Sequence, residues 1–237
     1  MRCALVTSLC LASLLAGCAP EGPSAYVSKA LILDSSCDLN VDDVKGLASG
    51  AYDIAGSTSQ KSVSCQRSYY LNLVVNSQLK ANANTATGRS EPNVLLINEA
   101  EISLIDLEQQ GLIVFDKRSN ELPNPFRVKT NITLEPTTGA DPTRGSVPIE
   151  AIPLGYSDQL TDYVGKQIMA EVQIFGTTLG DVDIDFAKFQ FPVFICQGCM
   201  TKCLSKIKDG DTQMDVYGDN CNDNAGADGR VCVNSEC

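Results

Sequence analysis

From Tyr69 to Cys196, apolar and polar residues repeatedly alternate with a period of two. A β-strand turns successive side chains to opposite faces, so this pattern commits the chain to half-buried strands. Tyr69, Leu71, Leu73 and Val75 share one face, and Asn72 and Asn76 the other. Phe126, Val128, Ile132 and Leu134 alternate with Arg127, Lys129, Asn131 and Thr133. Ile168, Ala170, Val172 and Ile174 form a third apolar face, and Val182, Ile184 and Phe186 a fourth. Beyond Lys188 the apolar set moves by one residue to Phe189, Phe191, Val193 and Ile195. A one-residue slip flips the buried face, so a bulge is expected between Phe186 and Phe189.

The stretches between these strands complete the plan. Tyr26–Leu33 reads as a first strand and 37–65 as irregular. Asn93–Leu107 reads as strand, with a bulge or a turn at Glu99–Ala100. Val147–Leu154 carries Pro148 and Pro153, which confines it to a sheet edge or an extended segment. Asp158–Val164 has Leu160, Tyr163 and Val164 at helical spacing. Gly176–Gly180 reads as a hairpin loop. Six or seven short strands joined by turn-rich loops predict a mainly β chain, an antiparallel β-sandwich over 26–195. An immunoglobulin-like topology fits the strand count. Its cysteine–tryptophan–cysteine core does not, because tryptophan is absent and no cysteine lies between Cys65 and Cys196.

The 237 residues contain no histidine, which removes Ser-His-Asp and Cys-His catalysis, His-ligated zinc and an imidazole pH switch. The net charge of −11, with basic residues scattered, argues against nucleic acid as a partner. No P-loop or dinucleotide fingerprint occurs. Ser77-x-x-Lys80 and Ser205-x-x-Lys208 lack the companion motifs of Ser/Lys acyl enzymes.

The N-terminus carries the most specific motif. Arg2 precedes an apolar run from Cys3 to Leu14, too short for a permanent span of about 30 Å of hydrocarbon and suited to a signal peptide. The run closes on Leu15-Ala16-Gly17-Cys18, which resembles the bacterial lipobox. Small residues let the chain enter a peptidase cleft, and the cysteine thiol accepts the diacylglyceryl group. The resemblance implies cleavage after Gly17, covalent lipid at Cys18 and a lipidated tether over 18–25. Ala19, where an Asp would favour inner-membrane retention, implies the outer membrane by the same resemblance. Removal of Arg2 with the leader leaves 17 basic against 29 acidic residues, a mature charge of about −12.

Cys3 and Cys10 leave with the leader, and Cys18 takes lipid. Cys37, Cys65, Cys196, Cys199, Cys203, Cys221, Cys232 and Cys237 remain as disulfide candidates. An even number in an oxidising compartment points to up to four bridges, among 105 connectivities. Cys37 with Cys65 is the favoured pairing, a loop worth roughly 3 kcal/mol in the chain-entropy treatment. The other six would staple residues 196–237, a cysteine-rich acidic tail too poor in apolar residues to hold itself together otherwise. Cys196-Gln-Gly-Cys199 has the C-x-x-C spacing of redox and metal sites. No βαβ context and no second close pair accompany it, so a structural disulfide is favoured.

Two acidic sets could bind calcium, which takes six to eight oxygens. Asp181, Asp183 and Asp185 alternate on one strand face, where a solvated surface is the simpler reading. Asp209, Asp211, Asp215, Asp219 and Asp223 lie in the tail among Asn and Gly. No frame there matches the EF-hand loop.

The lipobox, the sandwich region and the Phe191-Pro-Val-Phe-Ile-Cys196-Gln-Gly-Cys199 junction together resemble uncharacterised outer-membrane lipoproteins of the myxobacterial type. That resemblance carries no assigned activity. The expectation is a lipid-anchored, non-enzymatic envelope protein without a cofactor, facing the periplasm or the cell surface. Its partners would be the membrane, through the anchor, and an envelope protein or polysaccharide. The alternatives are a calcium-stabilised adhesion or ligand-binding module and, third, a carboxylate-based hydrolase.

Overall fold

A computed structural model describes residues 24–31, 39–42, 46–54, 68–82, 90–108, 110–112, 120–157 and 159–199, with two tail strands at 201–203 and 232–234. The strands are β1 (Ala25–Leu31), β2 (Gly50–Asp53), β3 (Tyr69–Ser77), β4 (Leu95–Ile105), β5 (Phe126–Leu134) and β6 (Thr143–Ile152). A short helix α1 (Leu154–Ser157) and a 3-10 turn (Leu160–Tyr163) follow. The chain continues with β7 (Gln167–Thr178), β8 (Asp183–Asp185), β9 (Phe189–Cys196), β10 (Thr201–Cys203) and β11 (Cys232–Asn234).

The strands form a mainly β, mostly antiparallel sandwich. One sheet has the order β1-β3-β6 and the other β2-β9-β7-β4-β5, with β8 also paired to β7. In immunoglobulin terms these are A-B-E against G-F-C-C′. β2 is an extra edge strand parallel to β9, with Gly50 opposite Val193 and Asp53 opposite Cys196. The tail adds a separate parallel pair, β10 with β11.

The predicted faces meet in one core. Tyr69, Leu71, Leu73 and Val75 of β3 pack with Ile102 and Leu104 of β4, the four apolar residues of β7, and Phe191, Val193 and Ile195 of β9. Tyr52 of β2 and Tyr69 of β3 bring their rings to 5.6 Å across the two sheets. β5 alternates as expected, but its inward side chains stay half-buried because it is an edge strand. It stops at Leu134, before Pro136.

Both bulges are present. The β7 partners run Phe175–Asp185 in β8 and Val172–Phe189 in β9, one residue out of step across 186–188. β4 is a single strand whose register shifts between Ile97 and Glu99 against both neighbours, slightly before the expected site.

Several expectations are corrected. The stretch 37–65 contains β2, which its four residues do not announce by periodicity. The far side of β3 is not solvated, since Asn72, Val74 and Asn76 are all buried. The segment expected as one helix at 158–164 contains the 3-10 turn, which buries Leu160, preceded by α1; Val164 faces outward. The β7–β8 turn begins at Leu179, so Gly176 lies inside β7, and Val182 is exposed rather than inward.

Gly176 has a packing reason to lie in a strand. A Cβ there would stand 2.8 Å from the Leu96 carbonyl oxygen and 3.2 Å from Leu95 Cδ1. Because the first contact is backbone beside the β4 bulge, Gly176→Ala should destabilise the fold by about 1–3 kcal/mol, measured by denaturant unfolding.

Candidate functional site

The sandwich has two chemically different poles. At the first, Ser24 accepts the Gln78 backbone N–H at 2.8 Å as the chain enters β1. The β3–β4, β5–β6 and β7–β8 loops gather there. Thr137 exchanges backbone hydrogen bonds with Leu79 and Ala81, and Lys80 Nζ donates to the Gly139 carbonyl. Leu179 and Gly180 donate to Val94 and Pro92. These bonds make the loop ends a knitted rim, with Leu179 and Val182 exposed at its tip. Asp181 turns this corner at φ 62°, a conformation Asp tolerates better than most residues.

At the opposite pole β9 ends in the Cys196–Cys199 disulfide, with the two Cα atoms 5.9 Å apart. Cys196 is 5% exposed and Cys199 lies on the surface. β2 holds this turn from the side. Ile54 N–H donates to the Cys196 carbonyl at 2.9 Å, and Gly198 N–H donates to Asp53 Oδ1 at 2.7 Å. Gly198 sits at φ 75°, which favours glycine. Asp53 is 4% exposed. One of its oxygens and the two sulfurs lie within 4.8 Å of one another. This is the one grouping of three or more metal-ligating side chains among the described residues, and its bridged sulfurs are not free to ligate.

The same pole is braced by Asn124. Its side-chain oxygen accepts the Leu104 N–H, and its amide donates to the carbonyls of Leu104 and Leu112. Tyr156 donates to the Pro123 carbonyl at 2.5 Å, and burial pushes its phenol upward.

Between the poles, the edges of β5 and β6 flank an open groove of about 470 Å³. Arg127, Lys129 and Asn131 line one wall, and Pro148 and Glu150 the other, with Tyr70 alongside. Ser68 Oγ donates to Glu150 Oε1 at 2.5 Å. Polar groups in an open cleft suit an extended polar ligand better than an enclosed apolar one.

The groove's cations continue into an ion-pair lattice on the outer face of the larger sheet. Arg127 bonds Glu99 at 2.6 Å and Glu101 at 3.1 Å, and Lys129 pairs with Glu99. Lys188 bonds Glu171 at 2.6 Å, and Gln190 bonds its other oxygen. Lys129 is the main cause that holds the Glu99 carboxyl low, with Arg127 adding to it; Lys188 is the main cause for Glu171. Carboxylates depressed in the folded state stabilise it fully above their ordinary 4.5, and that contribution is lost as pH falls through the depressed values. The melting temperature should therefore drop on acidification below about pH 4.5. The double variant Glu99→Gln, Glu171→Gln should show a shallower drop in the same titration.

Of the residues singled out from the sequence, the structure brings only Cys196 and Cys199 together. Cys18, Cys37, Cys65, Cys221 and Cys237 lie outside the described residues, as do Asp209, Asp211, Asp215, Asp219 and Asp223. Cys203 and Cys232 are placed by their backbones alone, on adjacent strands with Thr201 opposite Cys232. Asp183 and Asp185 are exposed on β8, beside Asp181 in the turn. Among the described residues they belong to no group of three metal-ligating side chains. Sequence reasoning missed Asp53, because its partners lie more than 140 residues away. It also missed the groove, which exists only where two strand edges meet.

No helix among the described residues is long and apolar enough to cross a membrane. No protein-family model matches the chain, and no curated protein is similar to it.

Proposed function

We propose that this chain is a lipid-anchored module of a bacterial cell envelope, a non-enzymatic sandwich that presents binding surfaces to an envelope protein or polysaccharide. The observation that carries this reading is the polarity of the fold. The segment following the lipobox enters at the loop-rich pole, and the tail departs from the other. β7 alone spans 12 residues between them, roughly 40 Å. Six residues from Ala19 to Ser24 reach at most about 20 Å. A chain anchored at Cys18 would hold its loop rim near the bilayer and the Cys196–Cys199 turn far from it. The β5–β6 groove would then lie on the flank, open sideways to a long polymer.

The binding reading is tested with the mature chain against purified envelope polysaccharide and by amine cross-linking in intact envelopes. A saturable complex is expected, weakened when Lys129→Glu and Asn131→Ala are combined in the groove. Absence of any saturable complex in both assays would remove the binding reading. Equal binding by wild type and double variant would move the surface away from the groove.

A further inference from the structure

The C-x-x-C pair is built asymmetrically, and the asymmetry goes beyond what a structural staple requires. We propose that Cys196–Cys199 is a thiol–disulfide exchange site, entered at Cys199 and directed at a cysteine-type thiol. The inference does not depend on the lipid anchor.

The first observation is accessibility. Exchange begins when a thiolate attacks a disulfide sulfur, so the reachable sulfur decides where the mixed disulfide forms. Cys199 is on the surface and Cys196 is 5% exposed, inside the end of β9. The second observation is the scaffold. The turn is tied to β2 through Gly198 N–H to Asp53 and Ile54 N–H to the Cys196 carbonyl. Neither bond involves sulfur. Opening the disulfide therefore leaves the turn fastened and the two thiols close together, ready to reclose. Burial closes Cys196 to an incoming thiolate and leaves Cys199 as the sulfur that carries the partner.

The step balances as follows. An external thiolate attacks Cys199 Sγ, the Cys196–Cys199 bond breaks, and its electron pair leaves on Cys196 Sγ, which takes a proton. A second external thiolate then attacks the partner's sulfur in the mixed disulfide. The partner leaves as its own disulfide, and Cys199 is released as a thiol. The protein disulfide gains two electrons and two protons, and two external thiols are oxidised.

The first test uses the oxidised wild-type chain under native conditions. Limiting dithiothreitol is followed by differential alkylation and mass spectrometry. The Cys196–Cys199 bridge should open at least about tenfold faster than any other bridge in the chain. Opening together with the other bridges, or only after unfolding, would overturn the proposal. The second test removes one sulfur at a time. Cys196→Ser should accumulate a mixed disulfide on Cys199 with oxidised glutathione, with an oxidised cysteinyl peptide, or with both. The pattern tells a small thiol from a polypeptide one. Cys199→Ser should leave Cys196 unmodified while the chain stays folded. Adduct formation at Cys196 but not at Cys199 would reverse the assignment and refute it.

Discussion

Replacing Cys18 by Ala should abolish acyl labelling of this chain in a bacterial envelope. In a lipobox the cysteine thiol is the acceptor, and alanine has no nucleophile to take its place. Burial of acyl chains contributes about 0.8 kcal/mol per methylene, so several chains hold a protein firmly where one holds it marginally. Losing all of them changes membrane affinity by far more than any single side-chain contact in the sandwich. Labelling with a fatty-acid analogue is a cleaner readout than fractionation. An unprocessed precursor retains the apolar run from Cys3 to Leu14 and could stay with membranes for that reason. Label that survives the substitution would refute the anchor. It would leave the sandwich and its exchange site untouched.

Phe191→Ala should cost the fold about 3–5 kcal/mol, the usual range for deleting a buried phenyl ring. Phe191 is 1% exposed in the centre of β9, opposite the small Ala170 of β7 and stacked near Phe189 with ring centroids 6.4 Å apart. Alanine there leaves a void that neighbouring backbone in a five-strand path cannot close. For a chain of this size the melting temperature should fall by roughly 10 °C in calorimetry. Phe194→Ala is the matched control. Three residues along the same strand, Phe194 points to the outer face and is 42% exposed. Its loss should stay within about 0.5 kcal/mol. A comparable loss from both variants would mean that β9 does not bury the face described.

Most of the sandwich was legible because its strands each have one buried face. β4, β5, β7 and β9 declare themselves by period two, and the slip across 186–188 declares itself as a change of phase. What alternation could not show was any element without it. β2 is four residues long and gains its place by pairing with a strand some 140 residues later. The burial of Asn72 and Asn76 likewise contradicts their polarity, because central strands can be covered on both faces. Gly176 read as a turn residue, yet the close approach of the Leu96 carbonyl explains it inside a strand.

The candidate site divides in the same way. The C-x-x-C spacing was visible, but which cysteine each of its sulfurs bonds was not; the structure joins Cys196 to Cys199. In a mature chain without Cys3 and Cys10 and with Cys18 lipidated, as the lipobox resemblance implies, that bridge leaves Cys37, Cys65, Cys203, Cys221, Cys232 and Cys237 and reduces the full pairings from 105 to 15. Asp53 was one acid among many until β2 docked beside β9.

The sequence by itself determined the inward faces of β5, β7 and β9, where the register slips, and the lipobox-like stretch Leu15–Cys18. These are local properties, set by the pleat of a strand and by a contiguous motif. Only the tertiary structure decided which strands are neighbours, that β1 begins and β9 ends at opposite poles, and that a buried carboxylate stands beside the Cys196–Cys199 bridge. Each of those depends on contacts between segments far apart in the chain. They form only when collective burial in a shared core outweighs the entropy of closing the loops between them.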